Sequence, residues 1–222
     1  MAARYDGWAE WYDEYLGRPL YEPVPDYVRR LVGEGEGYCL DAGCGTGAYL
    51  EVLSDLGWSV IGIDLSRDQL RLASTRSGRV IQGDVGLLPI PSGLFARCVS
   101  VLTLTDLDDV APFFHEAARV LHPEGHLVVV ATHPCFIGPF TKLEAGSEGI
   151  AHIYPGYWHT ERVFEGPGIG SGVRSRVGVR HVPLSELLNK LIAAGLQLLR
   201  VEELGAGTIP WLFAFVAKRR IG

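Results

Sequence analysis

Two hydrophobic rhythms alternate along the chain. Short apolar runs of strand character occupy 39–42, 60–64, 79–82, 94–102, 125–131, 197–204 and 211–218, and stretches with apolar residues three and four apart lie between them. Helices are expected at 48–56, at 67–75 behind a Ser66 cap, at 106–121, and at 184–195, where Leu184, Leu187, Leu188 and Leu191 recur. Strands alternating with helices in this way predict an α/β fold, with a parallel sheet covered on both faces. Before the first strand, Tyr5, Trp8, Ala9 and Tyr12 mark one helix, and a second opens at Pro23 or Pro25 and runs to Leu31. The rhythm breaks at 132–182, a stretch rich in glycine, aromatics and histidine. So long an irregular segment points to a binding element or lid.

Candidate chemistry sits where the first strand meets the first core helix. Cys39-Leu40-Asp41-Ala42-Gly43-Cys44-Gly45-Thr46-Gly47 reads as a buried strand entering a glycine loop that opens a helix. Such a loop lets a ligand lie against the backbone, and the helix start turns free N–H groups toward it. The spacing is G-x-G-x-G rather than the G-x-G-x-x-G of dinucleotide sites, and the loop carries an acid and no cation. A cationic nucleotide suits it better than a pyrophosphate. Two later strands also end in acids, at Asp64 and at Gly83-Asp84.

This constellation resembles the class I S-adenosylmethionine-dependent methyltransferases of the small-molecule, UbiE-like type. Asp41-Ala42-Gly43-Cys44-Gly45-Thr46-Gly47 is similar to their motif I, Asp64 stands where they bind the ribose hydroxyls, and Asp84 where they contact the adenine amine. Tyr5-Asp6-Gly7-Trp8-Ala9-Glu10-Trp11-Tyr12-Asp13 is similar to the Tyr-Asp-x-x-Ala-x-x-Tyr-Asp opening of many relatives, whose helix covers the cofactor. The resemblance implies a Rossmann-like seven-stranded sheet whose last strand, 211–218, inserts antiparallel between its neighbours. It implies S-adenosylmethionine as cofactor, held by Tyr5, Tyr12, Asp41, Gly43, Cys44, Gly45, Gly47, Asp64, Leu65, Gly83, Asp84, Val85 and Ser100. One domain is expected over 1–222: lid helices at 1–33, a cofactor core at 38–131, a substrate insertion at 132–182, and a closing helix and strands at 183–222.

The acceptor is less defined. Substrate contacts are expected from Thr103, His133, Phe136, Tyr154, Tyr157, Trp158, Arg180 and His181. A hydroxyl acceptor calls for a base near neutral pKa, so His133, just beyond the fifth strand, is the first candidate and His181 the second. Oxygen is favoured because histidines line the presumed site, and Ser100-Val101-Leu102-Thr103, where amine methyltransferases place Asn or Asp with Pro-Pro-Tyr, lacks that pattern. Transfer to nitrogen or carbon remains open, as does a cofactor-binding protein that transfers nothing, such as a cyclase or partner subunit. Asp106, Asp108 and Asp109 read as an acidic run favouring the start of a helix, and no metal site is expected.

Composition narrows the partners. The chain has 222 residues, 47% of them hydrophobic, and a formal net charge of -6. That balance gives no footing for a nucleic acid. The basic clusters are Arg174-Ser175-Arg176 with Arg180, which could serve an anionic substrate, and Lys218-Arg219-Arg220. No apolar run reaches membrane-span length and the start lacks a signal-peptide pattern, so a cytoplasmic monomer or homodimer with four reduced cysteines is expected.

Overall fold

The computed structural model describes residues 3–76, 79–144, 150–205 and 207–220. Helices α1 (Ala9–Leu16) and α2 (Val24–Val32) precede β1 (Tyr38–Ala42), α3 (Leu50–Asp55), β2 (Ser59–Asp64), α4 (Arg67–Arg76), β3 (Val80–Gln82) and β4 (Phe95–Val101). A 3-10 turn at Leu104–Asp106 leads to α5 (Val110–Val120) and the long β5 (Leu121–Thr132). Beyond it come β6 (Thr141–Leu143), β7 (Ala151–Ile153), β8 (Arg162–Val163), α6 (Val173–Val177), β9 (Val179–Arg180), α7 (Leu184–Ala193), β10 (Leu196–Leu204) and β11 (Leu212–Arg219).

Seven strands form one sheet in the order β10-β11-β5-β4-β1-β2-β3. β1 pairs in parallel with both β2 and β4, and β11 runs antiparallel between β5 and β10. The expected Rossmann-like architecture with its inserted last strand is what the chain builds. From β1 the chain steps outward to β2 and β3, then crosses to β4 on the other side. The crevice at that reversal, outside the carboxyl ends of β1 and β4, is where such sheets bind ligands.

Both faces of the sheet are buried. Phe95, Phe113, Phe114, Leu127, Val129, Leu191 and Phe215 pack between the sheet and α5 and α7. Val28, Leu50, Leu53, Val99, Val128 and Val130 pack against α2 and α3 on the other side. Alternation along β5 sends odd positions to the first layer and even positions to the second. Each large side chain removed from water contributes roughly 1.5–3 kcal/mol.

Three boundaries differ from the sequence reading. Gly47, Ala48 and Tyr49 form a turn, so α3 starts at Leu50. The helix expected at 106–121 begins only at Val110, because Asp109 caps it by accepting from the Ala111 N–H at 3.0 Å, which leaves Asp106 free of that duty. The strand expected from Gly125 begins at Leu121, and an irregularity between Phe95 and Arg97 absorbs the residues 122–125 between its two paired portions. The stretch at 132–182 carries two small antiparallel sheets, β6 with β7 and β8 with β9, beside α6.

Candidate functional site

The loops after β1, β2, β3 and β4 surround a cavity. It is lined by Gly43, Gly45, Asp64, Leu65, Ser66, Gln69, Gly83, Asp84, Val85 and Thr103, and covered by Tyr5 and Tyr12. Backbone geometry makes this cradle. Gly43 has φ +78, and a Cβ there would lie 2.5 Å from the Thr103 side chain; Gly45 has φ +53, with Gln69 Oε1 2.6 Å from such a Cβ. Only glycine leaves both conformation and space free. The Asp64 carboxylate accepts the Gly45 N–H at 2.9 Å and the Ser66 N–H at 2.8 Å, locking the first loop to the second strand. Burial nevertheless raises its pKa, against the lowering effect of those N–H groups.

Asp41 lies behind the loop rather than in its wall. It is buried, neither carboxylate oxygen has a hydrogen-bond partner among the described residues, and burial with the neighbouring Asp64 charge pushes its pKa up to about 7. Being outside the cavity wall, Asp41 supports the loop from behind and is not placed to contact a ligand in the cavity. The acids Asp64 and Asp84 at the cavity and the cation-free loop fit S-adenosylmethionine, whose hydroxyls and amines donate hydrogen bonds and whose sulfonium is positive. Cys44, Gly47 and Ser100 also stand back from the cavity. Cys44 packs on Gly62, Gly47 lies against α4, and Ser100 is buried in β4.

The lid segment is tied down by the two aspartates of its opening pattern. Asp6 accepts from the Ser66 hydroxyl at 2.7 Å. Asp13 accepts from Thr46 of the glycine loop at 2.7 Å and pairs with Arg76 at 2.7 Å. Each aspartate therefore fixes the lid to a cradle loop. Between them, the Tyr5 and Tyr12 rings meet edge to face at 5.0 Å.

A second chamber of about 260 Å³ adjoins the cradle, walled by Tyr15, Tyr21, Thr105, Thr132, Ile137, Arg174 and Trp211 and by the glycines around α6. Tyr5, Tyr12, Leu102 and Asp106 line both cavities, so they mark the junction. Leu102, the one non-glycine residue with positive φ (59°) among the described residues, sits there, a conformation that costs roughly 1–2 kcal/mol. Asp106 accepts the Tyr5 hydroxyl at 3.0 Å through Oδ2, and Oδ1 has no hydrogen-bond partner among the described residues. Burial pushes its pKa up to about 6 against the lowering pull of that hydroxyl, Arg162 and Arg4. Arg4 and Arg162 both donate to its backbone carbonyl, at 2.9 and 2.8 Å, and both pair with Asp108. Asp106 is therefore a held, desolvated carboxylate at the junction, not a residue of a helix start.

The histidines stand elsewhere. Both ring nitrogens of His133 are engaged: Nε2 with Glu203 at 2.7 Å, and Nδ1 accepting the Cys135 N–H at 3.1 Å. Its ring packs against Phe136 and Phe213, and neither cavity includes it. Strand alternation explains this, because Thr132 faces the chamber and the next residue faces away. His133 is thus not placed to act as a base. His181 is buried among Phe140 and Tyr157, in a small pocket that includes Arg180 and shares Thr105, Thr132 and Ile137 with the chamber; burial pulls its pKa down to about 4 and keeps it neutral. Phe136 stacks on His133, and Tyr157 accepts the Leu184 N–H at 3.0 Å while packing on Trp158. Tyr154 and Trp158 are exposed, Trp158 at 73%. Thr103 belongs to the cofactor cavity. None of the eight residues expected to bind substrate lines the second chamber.

Of the chamber residues, the sequence reading passed over Tyr15, Tyr21 and Trp211, gave Asp106 to a helix start, and named Arg174 only within a basic cluster that could serve an anionic substrate. A signal existed for Asp106. The helical pattern starts at Val110, so only Asp109 of the acidic run can be its cap.

Residues 40–129 match the family described as "Methyltransferase domain". A demethylmenaquinone methyltransferase of Tropheryma whipplei is 37% identical over 113 residues, 47% of this chain and 46% of that protein. A malonyl-[acyl-carrier protein] O-methyltransferase of Serratia marcescens is 30% identical over 128 residues, 55% of this chain and 46% of that protein. The chain thus spans about half the length of these curated relatives. The crystal structure of an S-adenosylmethionine-dependent methyltransferase from Mesorhizobium loti superposes with a TM-score of 0.71 at 23% identity, over 92% of this chain and 100% of that one, and shares the fold. Sheet order and glycine cradle agree with that family match: residues 40–129 are similar to the methyltransferase domain family, on a sheet of Rossmann-like order.

Proposed function

We propose that the protein transfers the methyl group of S-adenosylmethionine to an oxygen of a small, partly aromatic or apolar acceptor held in the second chamber, with Asp106 accepting the acceptor's proton. The reading is carried by one observation: the cofactor cradle and the aromatic chamber share Tyr5, Tyr12, Leu102 and Asp106, and the shared carboxylate has a free oxygen. The bound cofactor supplies a methyl carbon on a sulfonium, open to in-line displacement. The protein's tasks are then alignment, exclusion of water and removal of a proton. Tyr5 fixes the rotation of the Asp106 carboxylate, the lid aromatics cover the junction, and Asp106, with its pKa raised to about 6, is ionised at neutral pH yet basic enough to take a proton. One curated relative is named for demethylmenaquinone and the other for malonyl-[acyl-carrier protein], the latter as an O-methyltransferase.

The test is an acceptor screen with S-adenosylmethionine that follows both S-adenosylhomocysteine release and product mass. Methylated hydroxyl products support the reading, whereas methyl esters alone would leave Asp106 no proton to accept and would overturn its role. Turnover confined to amines or carbon acids would overturn the oxygen assignment, and tight cofactor binding with no methylated product under any acceptor would favour a non-transferring protein.

A further inference from the structure

The walls of the acceptor chamber are almost all uncharged. Tyr15 and Tyr21 lie 5.6 Å apart, and Tyr21 meets Trp211 edge to face at 5.6 Å, forming an aromatic wall that continues from the lid toward β11. Into this wall α6 brings one cation. Arg174 donates a single hydrogen bond, from Nη2 to the Ile137 carbonyl at 3.1 Å, and pairs with no carboxylate of the described residues. Its neighbour Arg176 is used differently: its guanidinium lies 4.3 Å from the centre of the Trp8 ring and 4.0 Å from that of Trp11, joining α6 to α1. The Arg174-Ser175-Arg176 cluster is therefore split, one arginine latching the lid and the other lining the chamber.

Arg174 is half-buried on the chamber wall with one carbonyl as its partner, so its remaining N–H groups are left for an incoming group, and an anion pairs with them best. Burial lowers the Arg174 pKa, with Tyr21, Tyr15, Asp106 and Tyr5 opposing that shift electrostatically. It remains a cation at neutral pH. The only carboxylate among the chamber residues is Asp106, at the cradle junction and already hydrogen-bonded to Tyr5. Four guanidinium N–H groups beyond the one given to Ile137 remain to hold an incoming anion, and a carboxylate fits such a fork in bidentate fashion.

We propose that the acceptor is a carboxylate with an aromatic or apolar body, its anionic end held by Arg174 and its body packed on Tyr15, Tyr21 and Trp211. This deepens, and rests on, the reading of the paired cavities as a methyltransferase site. Arg174 is then a specificity-determining residue: it discriminates a carboxylate from its neutral counterpart, because a neutral group leaves the guanidinium unpaired. The chamber volume of about 260 Å³ sets the scale at a small metabolite rather than a polymer.

Calorimetric titration tests this on the full chain saturated with S-adenosylhomocysteine. The probes are benzoate, phenylacetate and phenylpropanoate, each beside its primary amide, which keeps the shape and removes the charge. At least one acid is expected to bind about tenfold or more tighter than its amide, as a charge-assisted pair should. In Arg174→Gln, whose side-chain amide can still donate to the Ile137 carbonyl, that ratio should collapse toward one while S-adenosylhomocysteine affinity stays unchanged; Arg174→Lys should retain part of the preference. Equal binding of acid and amide by the native protein, an acid preference that survives Arg174→Gln, or cofactor binding with no acid bound would each overturn the proposal. Failure of S-adenosylhomocysteine itself to bind would overturn the reading of the cradle as well, so the two failures are separable.

Discussion

The cofactor cradle and the second chamber lie side by side and are built on opposite principles. The cradle is made of backbone. Its glycines and strand-end acids come from three short segments within 41–85, fixed by parallel pairing of β1 with β2 and of β2 with β3. The chamber is made of side chains from α1, the turn after it, the end of β5, α6 and the start of β11, so its wall spans residues 5 to 211. Backbone cradles tolerate little change and bind one shape, whereas side-chain chambers can be relined without disturbing the sheet. One fold can therefore hold its cofactor constant while its acceptor varies.

Asp106, at the boundary, breaks the comparison most sharply. Asp106→Asn keeps the shape and the possibility of a Tyr5 hydrogen bond but removes the base. Turnover should fall about 10²–10⁴-fold with cofactor affinity little altered. In the native enzyme kcat should rise with pH through an apparent pKa near 6, because the carboxylate acts when ionised. Loss of that limb in the variant identifies Asp106 as its origin. If Asp106→Asn instead weakened cofactor binding as much as turnover, the residue would belong to the cradle alone.

Asp41 probes the cradle's cost, with a smaller effect. Its folded pKa of about 7 lies above the usual carboxylate value, so its contribution to stability is present at low pH and lost as pH rises from about 4 through 7. Ligand-free protein should therefore lose stability over that range. Asp41→Asn should remove part of the loss and be more stable than the native chain at pH 8 by about 1–2 kcal/mol, less than the full linkage because a buried amide also wants partners. Parallel pH profiles for the two proteins in chemical denaturation would refute this role.

The same contrast explains what could be read from the sequence. The sheet and the cradle were legible because their signals are local, a glycine loop after a strand and acids closing two more; the lid followed only from the resemblance of its opening pattern, and the contacts of Asp6 with Ser66 and of Asp13 with Thr46 arise only on folding. The chamber was not, because Tyr21, Arg174 and Trp211 meet only after the chain has folded. Position after a strand pointed to His133, but alternation along β5 turns Thr132 toward the chamber and leaves His133 bonded to Glu203. Aromatics of the insertion pointed to Tyr154 and Trp158, yet these face solvent, and the insertion contributes to the chamber through its glycines, Ile137, Val173 and Arg174.

The central claim is that the cavity beside Asp64 holds the cofactor, and calorimetric titration of S-adenosylmethionine into native protein and Asp64→Ala tests it most directly. The account predicts a single site on the native chain and affinity weakened by about 1–3 kcal/mol in the variant, through loss of an acceptor for ribose hydroxyls and of the lock between Gly45 and Ser66. Equal affinity for the two proteins, or no binding to the native chain, would contradict it.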